Sequence, residues 1–469
     1  MKKFIPFFLI IFSFLSFQSC SSNNKTAQTE TKDTVFAIGK VISNVQCRFD
    51  VTKSYALYLP STYSKAKNYP IIYAFDAHGA GLLPVELFKD EAEKYGYILV
   101  GSNNSKNGNK WEVTSEIYDT LYNDTHRRFS IDNQRLYTAG FSGGSRVASS
   151  IAIGKGGINS VIGCGAGLGS QAQPQQKFGF YGIAGTADMN LTELIYLDSA
   201  LANAGFRHFL DVFDGKHEWP NKEVAKDAFL WLELNATKDL QKSNNDTLIN
   251  NTLKKWDESY KSLTTKNPYE AYLLCNKIIN FFDGVANINK YKTEITCLES
   301  NPTVIKAKKH LSEIAKQETE LQQYYSNSIT TQTAEWWKTQ INSINQKINS
   351  TSDKEVKYMY KRLLSYLSLA TYMNINGAIK AGRFDIVENF NIIYELVEPE
   401  NPEHAYISAT LAMKKGKQEE AIAFLKQAAG LGFNELSRIE NDSTLTLLKQ
   451  HTKYSEIIEL IKKNSIVQI

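Results

Sequence analysis

The stretch that most restricts the fold is RLYTAGFSGGSRVAS, residues 135–149. A short apolar run ends in glycine, and the pattern then changes at once to that of a helix. Gly140, Ser142 and Gly144 form a G-x-S-x-G pattern across the join. A serine at such a junction is held on a strained turn with its hydroxyl outward. Glycines two residues either side let the strand and helix backbones pass closely. The turn therefore demands a buried strand before it and a packed helix after it. Taken alone the pattern also fits a glycine-rich turn with no chemistry, so the flanking chain must decide.

The flanking chain alternates strand and helix signals from about residue 35 to 236, which predicts an α/β fold with a mostly parallel sheet. Residues 39–49 and 54–59 have the alternation of an antiparallel pair. Runs at 71–75, 97–101, 135–141, 160–164, 178–184 and 209–213 read as further strands. Helices are predicted at 85–95, 111–129, 143–153, 192–204 and 223–234.

A serine hydroxyl is a poor nucleophile unless a base lies within hydrogen-bond reach and an acid orients that base. Asp188 follows the strand at 178–184, and His217 follows the strand at 209–213. Of the seven histidines four lie in this stretch; His78, His126 and His208 sit in another loop, in a helix and at a strand start, which leaves His217 as the one placed to be the base. Surface-loop and turn roles are the plain alternatives for His217 and Asp188. An oxyanion developing on the substrate needs two backbone amides. Gly143 supplies one, and the loop at His78-Gly79 is expected to supply the other. The polar loop 102–110 and Trp111 are expected to border the pocket. No metal spacing and no cofactor motif is present, so neither is expected.

Taken together, YALYLPSTY, YPIIYAFDAHGAG, SIDNQRLYTAGFSGGSRVAS, GTAD and GKHEWP resemble secreted esterases of the α/β-hydrolase superfamily, close to the polyhydroxyalkanoate-depolymerase and feruloyl-esterase-like group. The resemblance covers about 200 residues. It implies carboxylic ester hydrolysis through an acyl-enzyme, with Ser142, His217 and Asp188 as the triad. Asp76 stands where that group more often has an apolar residue, and Ser145 where it has glycine or alanine. The expected substrate is a small-molecule or polysaccharide-linked ester, such as an acetyl or feruloyl ester. The alternatives are a serine peptidase or amidase with the same triad, and a binding or scaffold protein with an inactive hydrolase fold.

The chain begins MKKFIPFFLIIFSFLSFQSC, a basic start and an apolar run too short to span a membrane, ending in Ser19-Cys20. It resembles a bacterial lipoprotein signal. This implies a leader at 1–19, a lipid on Cys20, a tether at 20–34, and a place in the cell envelope with the membrane as partner. Four more cysteines leave disulfides open in an oxidising compartment, Cys275 with Cys297 among them.

At 469 residues a second domain is expected. A polar stretch at 237–251 reads as a linker between an esterase domain at 35–236 and an all-α region at 252–469. Ala381-Gly382-Arg383-Phe384-Asp385 recurs as Lys415-Gly416-Lys417-Gln418-Glu419, 34 residues on. That period resembles a tetratricopeptide array, which implies a helical face open to a protein partner. Residues 311–349 read as one or two longer helices, with Trp336-Trp337 as core. A net charge of only +4, without a basic stripe, gives no support for nucleic-acid binding.

Overall fold

The computed structural model describes residues 35–240 and 246–467. The expected leader, tether and Cys20 lie outside the described residues.

The apolar runs fold as strands of one sheet. In chain order the elements are β1 (Val41–Gln46), β2 (Ser54–Tyr58), β3 (Tyr69–Phe75), α1 (Leu82–Tyr95), β4 (Ile98–Ser102), α2 (Trp111–Arg128) and β5 (Ile131–Phe141). There follow α3 (Gly143–Lys155), β6 (Ser160–Cys164), β7 (Gly179–Gly185), α4 (Leu191–Asn203), β8 (His208–Phe213) and α5 (Lys222–Leu240). The strand order is β1-β2-β4-β3-β5-β6-β7-β8. Only the β1–β2 and β2–β4 pairs are antiparallel, and β4 through β8 run parallel to their neighbours. This is the mostly parallel sheet of an α/β fold. Every residue of β3, β4, β6 and β7 is buried, as a sheet with helices on both faces requires. Five crossovers leave β3 to β8 ending on one edge, which is where loops can meet.

The remainder is helical: α6 (Asp246–Lys266), α7 (Pro268–Phe282), α8 (Asn289–Glu299), α9 (Pro302–Ser328), α10 (Ala334–Ser350), α11 (Lys354–Lys380) and α12 (Phe384–Val397). Then come α13 (Pro402–Lys414), α14 (Gln418–Gly430), α15 (Leu436–Asn441), a 3₁₀ turn at Ser443–Gln450, and α16 (Tyr454–Val467). Residues 302–350 hold two long helices, and Trp337 between them is fully buried. Asn267-Pro268 and Asn301-Pro302 start α7 and α9 34 residues apart. In each the Asn side chain accepts an amide of the first turn and proline takes the first helical position. Gly382 and Gly416, also 34 residues apart, turn the α11–α12 and α13–α14 hairpins with φ of 69° and 74°, the left-handed conformation that ends helices. Among the described residues no helix is long and apolar enough to cross a membrane.

The polar stretch read as a linker differs from expectation. Helix α5 continues to Leu240 and α6 begins at Asp246. The first core also runs on past the stretch, taking in Cys275, Phe281 and Phe282 of α7 and Leu298 of α8. Phe281 packs edge-on to Tyr181 of β7 and Phe209 of β8. Asn280 accepts from the Trp231 indole at 2.9 Å and donates to the His208 carbonyl at 2.7 Å. Lys277 joins Asp211 of β8 to Asp227 of α5. The change in composition therefore marks a change of element type, and the packed core continues through it. Ala37–Ile469 forms one compact unit.

The suggested Cys275–Cys297 bridge is not formed. Cys275 is buried, its Sγ donating to the Tyr291 carbonyl at 3.5 Å, while Cys297 is exposed; both are free, as are Cys47 and Cys164.

Candidate active site

Strand β5 is central in the sheet, and the chain turns at its end straight into α3. Ser142 sits at that turn with φ 54° and ψ −119°. It is the one non-glycine residue with positive φ among the described residues. Such a conformation costs on the order of 1–3 kcal/mol and persists only where neighbours impose it. The neighbours are backbone. A Cβ on Gly140 would lie 2.1 Å from the Gly144 carbonyl oxygen, and one on Gly144 would lie 1.9 Å from that of Phe75. The Ser142 amide donates to the Cys164 carbonyl at 2.8 Å, tying the turn to β6. Ser145, where glycine or alanine was the expected residue, is buried and donates to the Ala166 carbonyl at 2.6 Å.

Ser142, Asp188 and His217 come together on the ends of three strands. Ser142 Oγ lies 2.9 Å from His217 Nε2, and His217 Nδ1 lies 2.9 Å from Asp188 Oδ1. Asp188 is buried, and its Oδ1 also accepts the Asn190 amide at 2.8 Å. Asn190 in turn donates to the Gly165 carbonyl at 2.7 Å. Phe141 packs on the His217 ring at 4.7 Å between centroids. Nearby, burial and the Asp188 carboxylate raise the Cys164 thiol well above its ordinary range, so it stays protonated.

Of the amides expected to hold an oxyanion, that of Gly143 is left without an acceptor among the described residues and those of His78 and Gly79 are not. Gly143, first residue of α3, has an amide with no acceptor among the described residues. On the other side, the His78 amide donates to Asp76 Oδ1 at 2.7 Å and the Gly79 amide to the Asp76 carbonyl at 3.2 Å. Both are consumed in a turn around Asp76, and the His78 side chain is exposed. The amide left over is that of Ala77, which has no acceptor among the described residues. Ala77 lies beside the elbow: its carbonyl accepts the Asn107 amide at 2.8 Å, and the Asn107 side chain covers the face of Gly143. The sequence singles out neither Ala77 nor Asn190, and it gives Asn107 only as part of the polar loop 102–110. The Asp-x-His spacing is an Asx-turn signal that could have moved the expected amide from His78 to Ala77.

Asp76 is buried and has a second function. Its Oδ2 accepts the Trp219 indole N–H at 2.9 Å, linking the end of β3 to the His217 loop. Burial works to raise this carboxyl, but hydrogen bonds from His78 and Trp219 outweigh it and hold it below the usual carboxylate range. His78 titrates above its usual range because of its hydrogen bond to Asp76, with Glu435 of the helical half adding to the effect. Trp111 does not reach the site. Its ring lies against Gly154 at the far end of α3, about 16 Å from the elbow at 1.5 Å per residue. Among the described residues no group of three or more His, Cys, Asp or Glu side chains could hold a metal ion.

No protein-family model matches the sequence, and no curated protein matches it significantly. Solved structures do align with part of it. The fluorophosphonate-binding serine hydrolase FphF of Staphylococcus aureus aligns at 12% identity over 42% of this chain and 99% of its own, with a TM-score of 0.34. A ferulic acid esterase aligns at 16% identity over 41% of this chain and 97% of its own, with a TM-score of 0.33. An esterase from the archaeon Pyrobaculum calidifontis aligns at 14% identity over 43% of this chain and 87% of its own, with a TM-score of 0.35.

Proposed function

We propose that this protein is a serine hydrolase that cleaves carboxylic esters through an acyl-enzyme. The observation that carries the reading is the continuous Ser142–His217–Asp188 hydrogen-bond chain, 2.9 Å at each link, on a strained elbow. Ser142 Oγ attacks the ester carbonyl carbon while its proton passes to His217 Nε2. The carbonyl oxygen, now an oxyanion, accepts from the Gly143 and Ala77 amides. The intermediate collapses, the carbon–oxygen bond to the alcohol breaks, and His217 returns the proton to the departing alkoxide. Water then gives a proton to His217 and attacks the acyl carbon, and breakdown of the second intermediate frees the acid and restores Ser142. Asp188 fixes the imidazole tautomer and stabilises its protonated form.

The polar loop 102–110 at the site, with Asn107 against Gly143, suits an ester carried on a polar group. Acetyl or feruloyl esters of polysaccharides are the substrate class we favour. The lipoprotein-like start of the chain supports attachment to the cell envelope through a lipid on Cys20. The test is hydrolysis of p-nitrophenyl acetate by protein beginning at Ser21, followed by acetylated and feruloylated oligosaccharides. Turnover that survives Ser142→Ala would refute the assignment of the nucleophile.

A further inference from the structure

The acid and base loops receive contacts from the helical half that the triad alone does not explain. Arg362 on α11 and Glu318 on α9 are both buried and paired, with Arg362 Nε and Nη2 donating to the carboxylate at 2.6–3.0 Å. An apolar pair of similar volume would serve packing as well as this one. What the charged pair adds is direction: the remaining nitrogen, Nη1, donates to the Thr186 carbonyl at 2.8 Å. Thr186 closes β7, two residues before Asp188. Its hydroxyl donates to Asp214 Oδ1 at 3.3 Å, and its amide to the Phe213 carbonyl at 2.8 Å. Asp214 begins the loop that carries His217, and its Oδ1 also accepts the Tyr358 hydroxyl at 2.7 Å. One turn of α11 thus supplies a donor to each loop.

We propose that Arg362 and Tyr358 are positioning residues through which the helical half holds the Asp188 and His217 loops in register with Ser142. The proposal deepens the hydrolase reading and rests on it. It gives the helical half a part in catalysis by geometry alone, since a displacement of about 1 Å in a catalytic group can cost a hundredfold in rate.

The experiment compares the full chain with Glu318→Leu/Arg362→Met, which leaves no unpaired buried charge, and with Arg362→Lys and Tyr358→Phe. Hydrogen exchange is followed at residues 186–190 and 214–218, together with kcat and KM on p-nitrophenyl acetate. In the double variant both segments should exchange about tenfold faster than in the parent while β3 and β5 keep their protection. kcat should fall about tenfold with KM within about twofold. Arg362→Lys, keeping the charge but not the fork, should lie between. A folded double variant with parental loop exchange and parental kcat overturns the proposal. Should the double variant not fold, Tyr358→Phe decides, and unchanged exchange at 214–218 overturns it. A parent inactive on every ester would count against the hydrolase reading, and the exchange measurements would still settle the clamp.

Discussion

Asp76 accepts the indole N–H of Trp219 at 2.9 Å, so one buried carboxylate fixes both the loop that presents the Ala77 amide and the loop that carries His217. A carboxyl held below its ordinary range in the folded state adds stability at pH values above its unfolded titration. That stability is lost as pH falls through the folded value. Asp76→Asn should therefore lower the melting temperature most near neutral pH, and the gap to the parent should close below about pH 4. Melting curves of the two proteins across that interval check the sign. A gap that widened on acidification would contradict it.

The proposed role of the Ala77 amide can be tested by substitution. Ala77→Pro removes the amide of Ala77 and should lower kcat about a hundredfold or more. His78→Ala removes a side chain that meets Asp76 but keeps every backbone amide of the loop, and should leave kcat within about threefold of the parent. Steady-state kinetics on an aryl ester compare the two. Parental kcat in Ala77→Pro would remove the Ala77 amide from the oxyanion site.

Relief of strain gives a prediction independent of substrate. Ser142→Gly and Ser142→Ala both lack the nucleophile, but only glycine relaxes at φ 54°. The glycine variant should be the more stable of the two by about 1 kcal/mol in urea denaturation.

Gly165 stands between acid and base. A Cβ there would lie 3.0 Å from Asp188 Oδ2 and 3.1 Å from His217 Cε1, at φ 65°. Gly165→Ala should cost about tenfold or more in kcat by pushing the imidazole off its line to Ser142. Labelling by a fluorophosphonate probe should slow in parallel.

Much of this arrangement was legible in the sequence because it is local. The elbow is turn chemistry, and Asp188 and His217 follow strands whose apolar runs are unmistakable. On the loop after β3 the Asp76 side chain takes the His78 amide and the Asp76 carbonyl takes the Gly79 amide, which moves the proposed oxyanion amide one residue back, to Ala77. Trp111 was drawn to the site by proximity in sequence, whereas α3 carries its contact to the opposite end. The end of α5 reads as a linker because its residues are polar, yet Asn235 is buried and the Lys238 ammonium turns inward to donate to the Asn280 carbonyl of α7 at 3.3 Å. The Arg362–Thr186 contact spans 176 residues, and no local pattern announces a partner at that distance.

The continuity of the first core into α7 and α8 bears on how this chain could be cut or inherited. A fragment ending near residue 236 would bare the faces of Tyr181, Phe209 and Trp231 that α7 covers. The sheet is therefore no cassette that recombination could lift out at the change in composition. A piece ending after α8 would keep that core together but lose the donors that α11 gives to the Thr186 carbonyl and to Asp214.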